Sequence, residues 1–136
     1  MVTYVLDASA VLRYLDGEEG SVRVADILKD HIAGRHKAVI SSVQWGEIAG
    51  MISKVHGRDA VNRVLARLLA FGMEIVPVTP ERAVRAALIK TARNIPYADA
   101  FAVELAGDSS EHILVTSDFD LKAATRDVKI EFLPRK

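Results

Sequence analysis

The stretch Val2 to Leu15, VTYVLDASAVLRYL, decides the fold class. Val2-Thr3-Tyr4-Val5-Leu6 is mostly β-branched, aromatic or aliphatic and does not alternate, the pattern of a strand buried on both faces of a parallel sheet. The run stops at one acid, Asp7. Ala8-Ser9-Ala10 follow, and Val11, Leu12 and Leu15 then share one face at helical spacing, so Asp7 stands where a strand hands over to a helix. In open α/β sheets that carboxyl edge is where ligands bind. The position also suits a helix cap, because Asp7 or Ser9 can accept hydrogen bonds from free helical N–H groups. What raises interest in Asp7 is that acids recur at later junctions of the same kind.

Working outward, Asp16 to Gly20 reads as a turn, and a helix runs from about Ser21 to Ala33, ended by Gly34. Arg35-His36-Lys37 is a short basic patch, either a surface loop or an RNA contact. Ala38 to Ser41 is a second buried strand, and Ser42 is placed to cap a helix from about Val43, with Ile48, Ile52 and Val55 as its core stripe and Glu47 in its first turns. Gly46 and Gly50 predict close helix packing, and Trp45 is either core or part of an apolar contact surface, as is Met51. A further helix spans about Arg58 to Ala70, with Arg63 and Arg67 exposed. Glu74 to Val78 is a third strand, and Pro77 predicts an edge position because proline cannot donate to a ladder. Thr79-Pro80 starts a helix to about Arg93 whose Arg82, Arg85, Lys90 and Arg93 predict a solvated basic face. Another helix opens near Tyr97, with Asp99 in its first turn, where the helix dipole alone favours a carboxylate. His112 to Thr116 is a fourth buried strand. It ends in Ser117-Asp118-Phe119-Asp120, repeating the strand-then-acid pattern of Asp7, and Ile130 to Leu133 predicts a last edge strand.

The whole reads β-α-α-β-α-α-β-α-α-β-α-β, which calls for a parallel sheet covered by helices on both sides. At 136 residues, half of them hydrophobic, a single globular domain over 1–136 is expected. The 18 basic residues balance the 18 acidic ones, so nucleic-acid binding would have to come from local patches. With no cysteine, disulfides, zinc–thiolate sites and thiol nucleophiles drop out together, which fits a reducing cytoplasm. The first apolar run lacks a basic leader and is interrupted by Asp7, so no signal peptide is expected, and no run has membrane-spanning length.

Asp7, Glu47, Asp99 and Asp118 thus come from four separate segments, each at or near a strand-to-helix junction or a helix start. Four converging carboxylates without basic partners would repel one another and be driven toward protonation unless a cation sat among them. Hard oxygen ligands select Mg2+ or Mn2+. Hydrolysis of a phosphodiester is the chemistry that suits such a set, since a metal lowers the pKa of an attacking water.

These residues resemble the PIN-domain ribonucleases, and within them the VapC-type toxins of toxin-antitoxin pairs. The resemblance runs over nearly the whole chain. It rests on Val5-Leu6-Asp7-Ala8-Ser9-Ala10, Ser41-Ser42-Val43-Gln44-Trp45-Gly46-Glu47-Ile48, Tyr97-Ala98-Asp99-Ala100-Phe101-Ala102 and Leu114-Val115-Thr116-Ser117-Asp118-Phe119-Asp120-Leu121, in that order and spacing. It implies a three-layer α/β/α fold whose five-stranded parallel sheet has the order 3-2-1-4-5. It also implies an endoribonuclease that uses Mg2+ or Mn2+, with Asp7, Glu47, Asp99 and Asp118 as catalytic and metal-binding acids. Ser9 and Thr116 stand in supporting positions, and Asp120 could add a water-mediated contact. An RNA substrate, a homodimer and a cognate antitoxin whose C-terminal segment occupies the acidic groove are implied too. Leu121 stands where such proteins often carry phenylalanine, a departure expected to touch packing. Two other readings remain at this level. A phosphoacceptor receiver domain would want paired acids ending the first strand and an aspartate ending the third, and a catalytically inactive RNA-binding protein of the same fold would keep the architecture alone.

Overall fold

The computed structural model describes residues 1–136. Its elements are β1 (Thr3–Leu6), α1 (Ala8–Asp16), α2 (Ser21–Ile32), β2 (Lys37–Ser41), α3 (Ser42–His56), α4 (Arg58–Ala70), β3 (Glu74–Val76), α5 (Pro80–Arg93), α6 (Tyr97–Ala106), β4 (His112–Thr116), a 3-10 turn (Phe119–Ala124) and β5 (Lys129–Phe132). All strands are parallel and stand in the order β3-β2-β1-β4-β5. A receiver-like sheet has the order 2-1-3-4-5, so the topology excludes that reading. The chain first builds outward on one side of β1 and then returns to build on the other. The resulting switch in direction lies between β1 and β4, and there the carboxyl ends of two neighbouring strands diverge into a crevice.

The central strands are buried on both faces, as the unbroken apolar run predicts. Tyr4, Leu6, Ala38 and Ile40 face one core, shared with Val11, Val24, Ile27, Ile48 and Leu68 of α1 to α4. Val5, Val39 and Leu114 face the other, shared with Ala86 of α5, Phe101 and Val103 of α6, and Leu121 and Ala124 of the 3-10 turn. Leu121 is fully buried there, so its difference from phenylalanine is a matter of packing.

Several local expectations change. Ser41, the last residue of β2, caps α3 through Val43 N–H, one residue earlier than expected, while the Ser42 hydroxyl accepts from Val78 N–H and ties down the chain beyond β3. β3 stops at Val76, before Pro77, at the edge of the sheet. Gly46 and Gly50 do not serve close packing: a side chain at either would meet open space. Gly57 instead has a clear conformational task, since at φ 86° it ends α3 and admits α4 directly. Trp45 packs half-buried against the first core, whereas Met51 is 44% exposed, and Val55, expected in the core stripe of α3, is exposed as well, the stripe being Gln44, Ile48 and Ile52.

The basic face of α5 is not simply solvated. Arg82 and Arg85 both bond the buried carboxylate of Glu104 on α6, at 2.9 to 3.0 Å, and Arg82 also holds Asp108. Arg93 is paired in the same way with Asp127. Glu104 looks out of place in a helix buried on nearly every side, and these arginines are the reason it is tolerated. Removing Arg82 would leave that carboxylate with Arg85 alone, so Arg82→Ala should lower unfolding free energy by about 3 kcal/mol. Urea unfolding followed by circular dichroism measures this, with Lys90→Ala expected to change stability little.

Candidate active site

Leu6 of β1 stands opposite Val115 of β4, so the residues that follow them, Asp7 and Thr116, emerge side by side at the switch point. Asp7 is 2% exposed. One carboxylate oxygen accepts from Ser9 Oγ at 2.7 Å and from Ala10 N–H at 2.9 Å, and the other accepts from Thr116 Oγ1. The capping role and the site role therefore coincide in one side chain. The network continues: Ser9 Oγ lies 3.2 Å from Thr116 Oγ1 and accepts from Ser117 N–H, while Thr116 Oγ1 accepts from Asp118 N–H. Asp118 Oδ1 in turn caps the 3-10 turn through Asp120 N–H at 2.9 Å. Asp120, on that turn, is exposed.

Glu47, on the first turns of α3, is exposed, and Asp99, in the first turn of α6, is half-buried. Asp99 feels the charges of the other three acids, and Asp7 that of Asp118. Burial pushes the Asp99 carboxyl up to about 7, helped by the charge of Asp118, by a hydrogen bond with it, and by the charges of Asp7 and Glu47. Asp7 is also raised, by burial above all, against the lowering effect of its bonds from Thr116, Ser9 and Ala10. None of the ion pairs of the protein involves these four acids. The donor chemistry thus fits a hard divalent cation. The geometry is open: no three acidic or histidine side chains stand close enough together to hold one ion. What the fold supplies is a common edge and a shared charge, not a closed cage.

The basic patch Arg35-His36-Lys37 lies at the opposite, amino edge of the sheet. There His36 Nδ1 accepts from Val2 N–H, and Arg35 is paired with Asp30. A groove of about 430 Å³ runs away from the acids between α1, α3 and α4, with Ser9 and Ser117 at one end and Leu12, Leu15, Met51, Val55 and Val64 along it. None of the four acids lines it.

A family model for the PIN domain matches residues 4–127, and so spans the switch point and all four acid-bearing segments. The chain belongs to the PIN-domain family. Solved structures agree on its fold. The chain is similar to a chain of VapBC2 from Rickettsia felis bound to a promoter DNA fragment, with a TM-score of 0.72, 16% identity and coverage of 97% of this chain and 99% of that one. It is similar also to a chain of DNA-bound VapBC from Salmonella typhimurium, with a TM-score of 0.71, 18% identity and coverage of 97% and 98%. A protein from Pyrobaculum aerophilum gives a TM-score of 0.65 at 23% identity, over 95% of this chain and 83% of that one. No curated protein matches by sequence.

One residue of this PIN domain escapes the sequence reading except as part of a motif. Gln44 is 2% exposed, accepts from Ala8 N–H at 2.7 Å and donates to the Ala98 carbonyl. The signal was available, since Gln44, Ile48 and Ile52 are four apart and an amide on an apolar stripe needs a buried reason.

The raised carboxyls fix the sign of a pH dependence. Between the unfolded aspartate value near 4 and about 7, the folded protein keeps a proton on Asp99 that the unfolded chain has released, so stability is greatest at the acid end and falls as pH rises through that window. In chelator, the melting temperature should therefore drop from pH 5 to pH 8. Asp99→Asn should drop less and melt higher than wild type at pH 8. Equal slopes for the two proteins would contradict the electrostatic coupling.

Proposed function

We propose that this chain is a metal-dependent endoribonuclease, the toxin of a type II toxin-antitoxin system, which hydrolyses RNA phosphodiester bonds with Mg2+ or Mn2+ held by Asp7, Glu47, Asp99 and Asp118. PIN domains are generally nucleases, and several of the solved structures this fold resembles are VapBC complexes. The observation that supports the reading is that Asp99 carries the electrostatic influence of three acids from three other segments, Asp118, Asp7 and Glu47, at the carboxyl edge of a parallel sheet, with no cationic partner on any of the four. Such a charge surplus costs stability, and natural proteins keep costs of that kind where function needs them.

Roles for the side chains follow from their surroundings. Asp7, held on both oxygens, is the fixed member of the set, and Ser9 and Thr116 orient it. Asp99, raised to about 7 by burial and by its acidic neighbours, keeps a proton in the absence of metal and would release it on binding a cation, so cleavage is expected to rise from pH 6 to pH 8. Glu47 is the exposed member, able to reach either the cation or a water. Asp120, on the turn capped by Asp118, could contribute through a water. A bound divalent cation would supply Lewis-acid activation of water and charge stabilisation at the phosphodiester.

The cognate antitoxin would lay an amphipathic segment into the groove between α1, α3 and α4, with Met51 and Val55 as exposed anchors, and continue past Ser9 and Ser117 over the acids. Self-association into a homodimer would cover other apolar surface, for which the outer side of α5, with Val84 and Leu88 both exposed, is suited. No helix is long and apolar enough to cross a membrane, and action on RNA would place the protein in the cytoplasm.

Asp99→Asn keeps size and shape while removing one negative ligand. It should lose roughly 100-fold or more of RNA cleavage with its circular dichroism spectrum unchanged, as a loss of transition-state stabilisation and not of fold. A mixed RNA pool in Mg2+, with matched preparations and a chelator control, tests this; equal cleavage by both proteins would remove the assignment. Val55→Arg, away from the acids, should leave cleavage intact but weaken inhibition by the co-expressed antitoxin by about tenfold or more. Unaltered inhibition would move the antitoxin off this groove.

A further inference from the structure

Asp7, Glu47 and Asp99 sit at the starts of α1, α3 and α6, and no backbone hydrogen bond joins these helices to one another. Gln44 supplies the side-chain hydrogen bonds that do. Its Oε1 accepts from Ala8 N–H, the residue after Asp7, and its Nε2 donates to the carbonyl of Ala98, the residue before Asp99. Gln44 itself is three residues before Glu47, on the same turn of α3. One buried amide thus touches the backbone beside two of the acids and shares a helical turn with the third.

We propose that Gln44 is a positioning residue that sets the separation of Asp7, Glu47 and Asp99 by clamping the first turns of α1, α3 and α6. The inference rests on the metal-dependent nuclease reading above. An amide suits the position for two reasons. It presents an acceptor and a donor at opposite ends of one rigid plane, which an N–H on one side and a carbonyl on the other require. It is also neutral, so it neither adds to the carboxylate charge nor replaces the cation that the charge attracts. Because the carboxylates themselves do not form a closed set of three, the clamp acts on backbone placement, and it leaves the side chains free to close on an ion. A group that orients metal ligands without touching the metal usually shows itself in metal affinity.

Gln44→Met keeps length and volume and removes both bonds. Calorimetric titration with Mn2+ on the full chain should show binding weakened roughly 10- to 100-fold relative to wild type. On RNA, kcat should fall while KM stays within about twofold, since the phosphate contacts are not altered. Leu68→Ala, in the core of α4 and remote from the acids, is the control for general destabilisation and should bind Mn2+ like wild type. If Gln44→Met does not fold, Gln44→Asn, which keeps an amide one methylene too short to bridge both partners, is held to the same criterion. A Gln44 variant with the Mn2+ affinity of Leu68→Ala would overturn the positioning role and leave the nuclease reading standing. A wild-type protein that binds no Mn2+ would overturn both.

Discussion

A carboxylate buried at the meeting of two central strands is the constraint on which this structure turns. Taking Asp7 out of water costs several kcal/mol unless its oxygens are satisfied, and burial does raise its pKa. The surroundings are arranged accordingly. The register of β1 against β4 brings Thr116 to one oxygen, while the first turn of α1 brings Ser9 and Ala10 N–H to the other. Those same hydroxyls then hold the backbone of Ser117 and Asp118, so the loop after β4 is fixed by the groups that fix Asp7. A shift of β4 by one residue would turn Thr116 away and leave one oxygen of the acid unpaired, which ties the sheet register to the site.

Charge is distributed across the molecule in a way that sharpens this effect. The protein has as many cations as anions, yet the arginines of α5 are spent on Glu104, Asp108 and Asp127, and none reaches the acids at the switch point. The edge therefore keeps an uncompensated negative field, and burial together with that field raises the Asp99 carboxyl to about 7. A site of this kind is unfavourable for the empty protein and favourable for a divalent cation. Net charge alone, at zero, conceals it.

Some of this could be read from the chain and some could not, for reasons that differ by residue. An unbroken apolar run followed by an acid is a local pattern, and it places Asp7 and Asp118 at strand ends correctly. Pro77 and Thr79-Pro80 likewise act through their own backbone geometry, and β3 lies at the sheet edge and α5 starts as they require. The strand order came from likeness to a family and not from periodicity, because pairing among strands is not a local property. Arg82 and Arg85 read as a solvated face since their partner, Glu104, lies on the following helix and only packing brings it across. The spacing of Gln44 with Ile48 and Ile52 marks a buried amide but not what it bonds, because both its partners are backbone atoms, which have no signature in sequence. Sequence offers Ser42 as the cap of α3, but two adjacent hydroxyls compete for that place, and the chain after β3 engages Ser42 and leaves the cap to Ser41.

The most direct measurement is anomalous diffraction from crystals of this protein grown in Mn2+. A single strong peak, or a close pair, at the carboxyl edge between β1 and β4, in contact with Asp7 and with oxygens of Asp99 or Asp118, is the expected result. Saturating Mn2+ with no peak at that edge, or with peaks only at surface carboxylates elsewhere, would contradict a metal site built on Asp7.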